Sequence, residues 1–268
     1  MSDFSLQDDL ALARVVAAQA DLVSLPRFRA QDLVVSTKPD RTPVTDADRA
    51  VEEVIRATIS ASRPQDSLLG EEFGSTSAES GPQPGRQWII DPIDGTAGFL
   101  RGLPIWATLI ALAIDGTPVV GVVSAPALNQ RWWAAKGLGA WTSRNKATPE
   151  SIHVSAVGAL GDATISYNSL AQWVEDGRGD QAMALSQAAW RSRAIGDFWS
   201  YMLVAEGQLD VAGEPDLQPY DMAALLPIVE EAGGSFTSLD GEPGIWHSSA
   251  LGTNRLLHDE VLTLVAKK

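Results

Sequence analysis

The sequence predicts an α/β protein, and three features of the chain support this fold class. Short apolar runs, such as residues 88–90, lead directly into acidic residues, as buried strands do at the ligand-binding edge of an α/β sheet. From residue 106 the chain has the apolar runs and the Asp-Gly turn of a β-hairpin. The second half alternates short strands with helices. With 268 residues, the chain can bury a large core, either as one domain or as two packed lobes.

Composition and charge argue against several classes of function. The chain has 34 acidic and 20 basic residues and a net charge of −14, which argues against binding to nucleic acid. It has no cysteine and three histidines, so it offers no disulfide or thiolate site and does not favour zinc. Because the sequence shows neither a signal core nor an apolar run of membrane-spanning length, we expect a cytoplasmic protein with no membrane partner.

The first half begins with two predicted amphipathic helices that are separated by a turn-rich connector. Ser5 and Asp8 have the spacing of a capping box at the start of the first helix. Residues 34–45 form a connector or a small hairpin, and Thr45 has the position of an N-cap for the second helix. Asp48 lies one turn before the apolar stripe of this helix, so it faces the protein. It either serves only the helix start or belongs to a site.

Two strands in the first half lead into acidic residues. Residues 67–69 form a short strand before Glu71, and residues 88–90 form a second strand before Asp91 and Asp94. Two ionised carboxylates as close as Asp91 and Asp94 repel each other unless a cation lies between them. Ligation by oxygen atoms alone favours a hard cation, magnesium first. The alternative is that both acids only cap a turn, because aspartate is a common turn residue.

Pro92 lies between these two acids and predicts how the second strand ends. Proline has no N–H group, so we expect the ladder pairing of this strand to stop there. Gly95 and Thr96 then open a turn into a helix. Three further strands are predicted, at 106–114, 117–125 and 131–135. Residues 142–149, which are polar and rich in threonine, are expected to form a surface loop.

This polar loop marks the boundary that we predict between two lobes. Residues 1–148 would form an N-terminal α+β lobe with most of the candidate metal ligands, and residues 149–268 a C-terminal α/β lobe. In the second lobe, strands are predicted at 163–167, 191–196, 209–212 and 249–253, and helices at 180–190, 197–206, 221–232 and 258–267. We expect Asp197 to cap its helix, Asp221 to open the next helix and Pro227 to kink that helix.

Four segments of the chain together resemble the inositol monophosphatase-like family of magnesium-dependent phosphatases. In chain order they are Pro43-Val44-Thr45 with Asp48, Gly70-Glu71-Glu72, Asp91 to Thr96, and Asp221-Met222-Ala223-Ala224 followed by Glu231-Ala232-Gly233-Gly234. They occur in the order and at the spacings of the family, and the resemblance covers nearly the whole chain. It implies a layered αβαβα sandwich of the inositol monophosphatase and fructose bisphosphatase type, with two packed lobes. It also implies a hydrolase that acts on a small phosphorylated substrate, commonly as a homodimer.

The resemblance implies a magnesium site that holds two to three ions. One ion would be bound by Glu71, Asp91 and the carbonyl group of Ile93. A second ion would be bound by Asp91, Asp94 and Asp221, and Glu71 would contact a third, weaker ion. Two such ions can stabilise both the attacking and the leaving oxygen of an in-line displacement. Bound cations would also reconcile an acidic protein with an anionic substrate.

The resemblance further implies which residues act on the water and on the phosphate. Asp48 and Thr96 would orient the attacking water, and Glu71 would complete the catalytic set. The backbone N–H groups of Gly95 and Thr96 would bind the phosphate at the start of a helix. Electrostatic stabilisation of the phosphoryl group would supply most of the rate enhancement, because phosphoryl transfer needs little covalent chemistry from the protein.

Within the family, the chain is most similar to the bacterial histidinol-phosphatase branch. The segments that carry this similarity are Arg101-Gly102 with Pro104 and Trp106, residues 124–128 before Arg131-Trp132-Trp133, Gly196-Asp197-Phe198 with Ser200-Tyr201, and residues 203–207. Histidinol phosphate carries an amine and an imidazole, so acidic residues away from the metals would bind it. Asp197 and Glu214 are the candidates, and Arg193 is expected to line the same groove. The alternatives are that Asp197 only caps a helix and that Arg193 only pairs with a surface acid.

One position departs from the family pattern. The family usually has an asparagine where this chain has Gly98. No metal ligand is lost, but glycine adds backbone freedom, so the substrate contacts near this residue stay open. The alternative substrates are inositol monophosphate or another small sugar or nucleotide phosphate. A catalytically silent binding protein with the same fold would be expected to lack some of the metal carboxylates, and all of them are present.

Overall fold

Two helices and a short strand pair begin the fold of this computed structural model, which describes residues 4–37, 43–77, 81–145 and 147–267. Helix α1 (Leu6–Arg27) starts with the predicted capping box of Ser5 and Asp8. Strand β1 (Val35–Thr37) pairs antiparallel with β2 (Pro43–Thr45), which confirms the small hairpin, although residues 38–42 lie outside the described ranges. Thr45 is the N-cap of α2 (Asp46–Ser62) and forms a second capping box with Asp48, as predicted.

The larger sheet contains eight strands from the first part of the chain. They are β3 (Ser67–Gly70), β4 (Gly74–Ser75), β5 (Arg86–Asp94), β6 (Ala107–Ile114), β7 (Thr117–Ala125), β8 (Gln130–Ala135), β9 (Ala140–Arg144) and β10 (Glu150–Ser151). Their order across the sheet is β10-β9-β8-β7-β6-β5-β3-β4. Strands β3 and β5 are parallel, and the other neighbours are antiparallel. The short helix α3 (Thr96–Leu100) follows β5 directly.

The smaller sheet contains five strands from the second part of the chain. They are β11 (Thr164–Ser166), β12 (Arg191–Arg193), β13 (Val211–Pro215), β14 (Ser235–Thr237) and β15 (Ser249–Thr253), in the order β12-β11-β13-β15-β14. The accompanying helices are α4 (Leu170–Glu175), α5 (Gly179–Ala188), α6 (Asp197–Ala205), α7 (Pro219–Met222), α8 (Leu225–Glu231) and α9 (His258–Val265). The larger sheet ends at Ser151 and the smaller sheet begins at Thr164. The lobe boundary near residue 148 stays a prediction.

Helices and sheets alternate in five layers. Helices α1 and α2 bury their apolar faces, including Val51 and Ile55, against one face of the larger sheet at Trp88. Helices α6 and α8 lie between the two sheets within the largest buried cluster. Helices α4, α5 and α9 cover the outer face of the smaller sheet, where Trp173 and Val261 are buried. This order of layers confirms the predicted αβαβα sandwich, because each sheet buries both of its apolar faces.

The prediction that pairing stops at Pro92 is wrong. Strand β5 continues to Asp94, which pairs with Ala107 of β6 after a register shift that follows Asp91. A bulge is one of the few places in a sheet where proline is tolerated, because the ladder is interrupted there. The carbonyl group of Pro92 accepts a hydrogen bond of 2.9 Å from Thr108 Oγ1. The strand can therefore carry both acids on one continuous element.

Three further expectations, two about element boundaries and one about a kink, are wrong. Strand β9 includes residues 142–144, so the loop expected at 142–149 starts only after Arg144. Helix α7 begins at Pro219 rather than at Asp221, and the N-cap is Gln218. Pro227 does not kink a long helix, because the chain breaks between α7 and α8 and leaves this proline in the first turn of α8. Proline is well tolerated in a first turn, where its missing N–H has no partner within the helix.

Candidate metal centre and active site

Three carboxylates meet at the junction between the two sheets. Asp91 and Asp94 lie at the bulged end of β5, and Asp221 lies on α7, which packs against that strand. One oxygen atom from each of the three side chains lies within 4.8 Å of the other two. This arrangement brings together three of the residues that the sequence nominated as metal ligands. Oxygen donors at such spacing suit a hard divalent cation.

The ionised form of these three carboxylates is unfavourable unless a positive charge lies nearby. Burial raises the pKa of Asp91 well above its usual value, and the neighbouring charges of Glu71, Asp94 and Asp221 raise it further. Burial also raises the pKa of Asp94 well above its usual value, and Asp197 and Asp221 add to the shift. Buried carboxylates that raise one another's pKa are stabilised in the ionised form by a bound cation. The donor set and its burial therefore fit a divalent metal site.

Hydrogen bonds from the backbone orient the two acids of β5. Asp91 Oδ1 accepts a hydrogen bond of 3.0 Å from the N–H of Ile93. Asp94 Oδ2 accepts one of 2.6 Å from the N–H of Phe198 at the start of α6. Such contacts fix the direction of each carboxylate before any ligand binds, as the hydrogen bonds around metal ligands commonly do.

Glu71 lies beside Asp91, as the predicted shared ion requires. The N–H of Glu71 donates to the carbonyl group of Ile90, the residue before Asp91, at 3.2 Å. The side chains of Glu71 and Asp91 are close enough for the charge of Glu71 to raise the pKa of Asp91. The parallel pairing of β3 with β5 produces this contact, because both strands end at the same edge of the sheet.

Asp48 and Thr96 form a second pair next to the carboxylates. Thr96 Oγ1 lies 3.3 Å from Asp48 Oδ1 and 3.0 Å from the carbonyl oxygen of Ile93. Asp48 is fully buried, and its other oxygen accepts hydrogen bonds from the N–H and the hydroxyl group of Thr45. Burial raises the pKa of Asp48, and the nearby charge of Glu72 adds to this effect. The capping box thus leaves one oxygen of Asp48 directed at Thr96.

Gly95 makes the tight approach at this point possible. Its φ angle is +84°, a left-handed conformation in which residues with side chains are strained. A Cβ atom at this position would lie 3.0 Å from the carbonyl oxygen of Ile105 and 3.4 Å from Asp197 Oδ2. The same contact shows that Asp197 reaches the loop that carries Gly95 and Thr96, although it comes from the other part of the chain.

A cleft of about 340 Å³ opens beside Gly95 and Asp197. Its lining residues are Ala97, Gly98, Arg101, Leu103, Ile105, Asn168, Ala194, Ile195, Gly196 and Asp197. Glu214 is almost fully buried on β13, and one of its oxygens accepts a hydrogen bond from the side-chain amide of Asn168. Burial raises the pKa of Glu214 to about 8, and the charges of Asp197 and Asp221 contribute. The cleft therefore has one acidic lining residue, Asp197, and a second acid, Glu214, directly behind its lining residue Asn168.

The two remaining candidates for substrate binding, Asp197 and Arg193, differ in where they lie relative to the cleft. Asp197 is the first residue of α6, but the N-cap is Gly196, so the expected capping role of Asp197 is wrong. Its φ angle of +54° is unusual for a residue with a side chain. Arg193 is exposed on β12, where its guanidinium group donates to the carbonyl group of Ser192. Among the described residues, Arg193 does not belong to the lining of the cleft.

Sequence reasoning missed Asn168 and gave no packing reason for Gly98. Asn168 has a φ angle of +53°, and a Cβ atom at Gly196 would lie 1.8 Å from its side-chain oxygen, so these two residues fit each other closely. Only the general preference of asparagine for left-handed turns could have indicated this position. A Cβ atom at Gly98 would lie 2.9 Å from the carbonyl oxygen of Ile105. Close packing is therefore one reason for a glycine at this position, and the added backbone freedom stays a prediction.

Comparisons with known proteins agree with this fold. The sequence model of the inositol monophosphatase family matches residues 5–268. The chain is 54% identical to a histidinol-phosphatase of Mycobacterium tuberculosis, over 96% of this chain and 97% of that protein. It is also 54% identical to a histidinol-phosphatase of Streptomyces coelicolor, over 95% and 96% of the two chains. An inositol monophosphatase structure from Zymomonas mobilis superposes with a TM-score of 0.84 and 32% identity, over 98% and 99% of the two chains.

The layered fold and the acidic centre define a phosphoric monoester hydrolase that acts on small phosphorylated substrates. Enzymes of the inositol monophosphatase family depend on metal ions. With a family match over nearly its whole length, the chain belongs to the inositol monophosphatase family. None of the helices in the described residues is long and apolar enough to cross a membrane.

Proposed function

We propose that this chain is a histidinol-phosphatase, which hydrolyses L-histidinol phosphate to L-histidinol and phosphate in histidine biosynthesis. The observation that carries the chemistry is the cluster of Asp91, Asp94 and Asp221 at the end of β5, in which Asp91 is buried and the other two are partly buried. The choice of substrate is supported by the 54% identity to two proteins of that name and by the acidic groups beside the cleft.

Magnesium is the proposed cofactor, with two to three ions held by this chain's own oxygen donors. Glu71, Asp91 and the carbonyl group of Ile93 would hold one ion, and Asp91, Asp94 and Asp221 a second. A third, weaker ion would contact Glu71. When bound, such cations stabilise charge on the phosphoryl oxygens and lower the pKa of a coordinated water. The chain contributes the fixed directions of these donors, which are set by the N–H groups of Ile93 and Phe198.

Asp48 and Thr96 are the proposed pair that orients the attacking water. The Thr96 hydroxyl group lies between Asp48 Oδ1 and the carbonyl oxygen of Ile93, so it can donate to either oxygen while accepting from a water. Asp48 accepts from Thr96 with one oxygen and is held by Thr45 through the other. A water bound to Thr96 would therefore be positioned for in-line attack, which is worth several orders of magnitude in rate.

Gly95 and Thr96 would bind the phosphate through their backbone N–H groups. Glycine at position 95 lets the chain turn with a positive φ angle and leaves room for a ligand close to the backbone. Asp197 and Glu214 would then bind the amine or the imidazole of histidinol, because Asp197 lines the cleft and the buried Glu214 accepts a hydrogen bond from Asn168 of its lining. A role for Arg193 stays a prediction, as do the homodimer and the cytoplasmic location.

The decisive experiment compares two substrates with purified protein and magnesium. Phosphate release from histidinol phosphate is expected to exceed release from inositol 1-phosphate by at least about tenfold in kcat/KM. The alternative reading, an inositol monophosphatase, has support in the family match and in the Zymomonas mobilis structure. A preference for inositol 1-phosphate would favour that alternative and refute the proposed substrate, while Asp94→Asn as control would report on the metal chemistry in either case.

A further inference from the structure

A buried carboxylate outside the metal cluster contacts the loop that carries Glu71. Glu52 lies on α2, one helical turn after Asp48, and its side chain has 0% exposure. No part of the reaction described above uses this residue. A fully buried acid must be paired or hydrogen-bonded to be tolerated, so its partners indicate its role.

The partners of Glu52 are backbone N–H groups on the far side of Glu71. Glu52 Oε2 accepts a hydrogen bond of 2.7 Å from the N–H of Glu72, and Oε1 accepts one of 3.3 Å from the N–H of Phe73. Arg56 Nε, on the next turn of α2, donates to Oε1 at 2.6 Å. The Arg56 guanidinium group also donates to the carbonyl group of Gly74. Helix α2 thus forms hydrogen bonds to the backbone of residues 72–74 through the side chains of Glu52 and Arg56.

Gly70 shows how closely the carboxylate fits against this loop. A Cβ atom at Gly70 would lie 2.0 Å from Glu52 Oε1 and 2.4 Å from its carboxyl carbon. The φ angle of Gly70 is not positive, so space, rather than backbone conformation, requires glycine here. Glu71 is therefore held on both sides: Gly70 and Glu72 contact Glu52, while its own N–H donates to Ile90 of β5.

We infer that Glu52 is a positioning residue for Glu71 and, through it, for the metal centre. The same helix carries Asp48, so one rigid element sets the position of the water-orienting acid and of a metal ligand from another strand. A carboxylate is suited to this task because it accepts at both oxygens, whereas an amide would place a donor against an N–H group or against Arg56. The inference rests on the proposed function in one respect, the role of Glu71 as a metal ligand.

The first measurement uses metal-free protein and reports only on the hydrogen bonds between Glu52 and the N–H groups of residues 72 and 73. Glu52→Gln is expected to speed the amide hydrogen exchange of residues 72 and 73 by at least about tenfold, since an acceptor is lost. Glu53→Gln is the matched control, because Glu53 is the exposed neighbour on the same helix and the charge change is identical. Exchange at these amides should stay unchanged in Glu53→Gln.

The second measurement is the magnesium affinity of the same variants by calorimetric titration without substrate. Glu52→Gln is expected to weaken binding by about tenfold or more, in the range found when the hydrogen-bond partners of metal ligands are removed. A residue with a merely structural role would lower the melting temperature and leave this affinity unchanged. Glu52→Asp is the second variant, for use if Glu52→Gln does not fold. It keeps the charge but has a shorter side chain, so we expect a smaller increase in amide exchange and a smaller loss of magnesium affinity.

Glu71→Gln separates the two possible failures. If Glu71→Gln weakens magnesium binding and neither Glu52 variant does, the positioning role is refuted while the proposed metal site stands. If Glu71→Gln binds magnesium as the unmodified chain does, the metal role of Glu71 and the positioning role fail together. The inference is supported if the Glu52 variants show both faster amide exchange and weaker magnesium binding, and if Glu71→Gln also binds magnesium more weakly.

Discussion

The N–H group of Phe198 donates a hydrogen bond of 2.6 Å to Asp94 Oδ2, across 104 positions of the sequence. This contact joins the start of α6 to the end of β5, so an acid of the larger sheet meets a helix that precedes β13 of the smaller sheet. The N-terminal end of a helix carries a partial positive charge, which favours a carboxylate. Asp94 therefore has two tasks, as a candidate metal ligand and as the partner of α6.

Asp94→Asn is expected to separate these two tasks. Its side-chain oxygen can still accept from Phe198, but the charge needed for metal binding is gone. We expect phosphate release to fall about a thousandfold, since metal stabilisation of the transition state is worth several kcal/mol. Without metal, the free energy of unfolding of the variant should be about 1 kcal/mol higher than that of the unmodified chain, because the charge that Asp94 places near Asp91 and Asp221 is removed.

Activity assays and thermal unfolding with and without magnesium test this prediction. The unmodified chain should gain stability with magnesium by mass action, and Asp94→Asn should gain much less. Glu175→Gln, which removes an exposed acid on α4, is the control and should behave as the unmodified chain. Full activity in Asp94→Asn would contradict the assignment of the metal centre.

Short local patterns in the sequence predicted the acids of the metal centre. The path of the chain between them depends on tertiary contacts, which the sequence does not show. Asp48, Glu71 and Asp91 could be nominated because each lies at a helix start or a strand end, which the sequence indicates directly. Pro92 was misjudged, because a bulge depends on the partner strand β6 and not on the residues around the proline. The pairing of β6 through the bulge lets the strand continue where proline alone would have ended it.

The substrate side of the centre was less predictable, because it too depends on contacts between residues that are distant in the sequence. Asp197 was given a capping role as one alternative, but its positive φ angle turns the side chain toward Gly95. The contact between Asn168 and Glu214 joins a turn after β11 to β13, and no local pattern encodes this distance. Glu52 was missed although it lies one turn after Asp48 and three residues before Ile55, a spacing that places it on the buried face of α2.

Gly98→Asn would restore the usual residue of the family, and we expect it to be harmful here. The new Cβ atom would lie 2.9 Å from the carbonyl oxygen of Ile105, so the wall of the cleft must shift. Overpacking of this kind costs about 1–3 kcal/mol of stability. The KM for histidinol phosphate should rise, because Gly98 and Ile105 both line the cleft.

Urea unfolding and steady-state kinetics measure these two effects. Gly158→Asn is the matched control, because a Cβ atom there meets no described atom within 4 Å and the φ angle of Gly158 is not positive. Stability and KM should both be nearly unchanged in the control. If Gly98→Asn were as stable as the control, close packing would not be the reason for the glycine.

His258 is expected to make stability depend on pH. Its ring nitrogens lie 3.1 Å from Thr237 Oγ1 and 3.0 Å from Thr253 Oγ1, and burial lowers its pKa. In the unfolded chain the residue binds a proton below about pH 6.5, whereas the folded chain resists protonation. The unfolded state therefore binds more protons as the pH falls below that value, and stability falls with it, by at most about 1.4 kcal/mol per pH unit.

The measurement is the free energy of unfolding at pH 7.5 and pH 5.5. The unmodified chain should lose more stability between these two values than His258→Gln does, because the variant has no group to protonate. His247→Gln removes an exposed histidine and is the matched control, with the pH dependence of the unmodified chain. Equal pH dependence in all three proteins would show that His258 does not contribute.

Glu214→Gln tests whether the buried acid behind Asn168 of the cleft recognises a cationic substrate. The variant keeps the size of the side chain and can still accept from Asn168. It cannot ionise, however, whereas a cation bound nearby would favour the negative form of Glu214, whose pKa burial raises to about 8. A hydrogen bond to a charged group is worth about 1.5–3 kcal/mol, so kcat/KM for histidinol phosphate should fall roughly 10- to 100-fold. Inositol 1-phosphate has no cationic group on its ring, so its hydrolysis should change by less than about threefold by the same reasoning.

The comparison between the two substrates makes this test specific. A general disturbance of the site would lower the hydrolysis of both, whereas loss of charge recognition lowers only one. Asp216→Asn, an exposed acid two positions later with a φ angle of +61° that asparagine tolerates, is the control and should leave both activities unchanged. Equal losses for the two substrates in Glu214→Gln would assign Glu214 to the support of the metal centre rather than to substrate choice, since Asp221 contributes to its raised pKa.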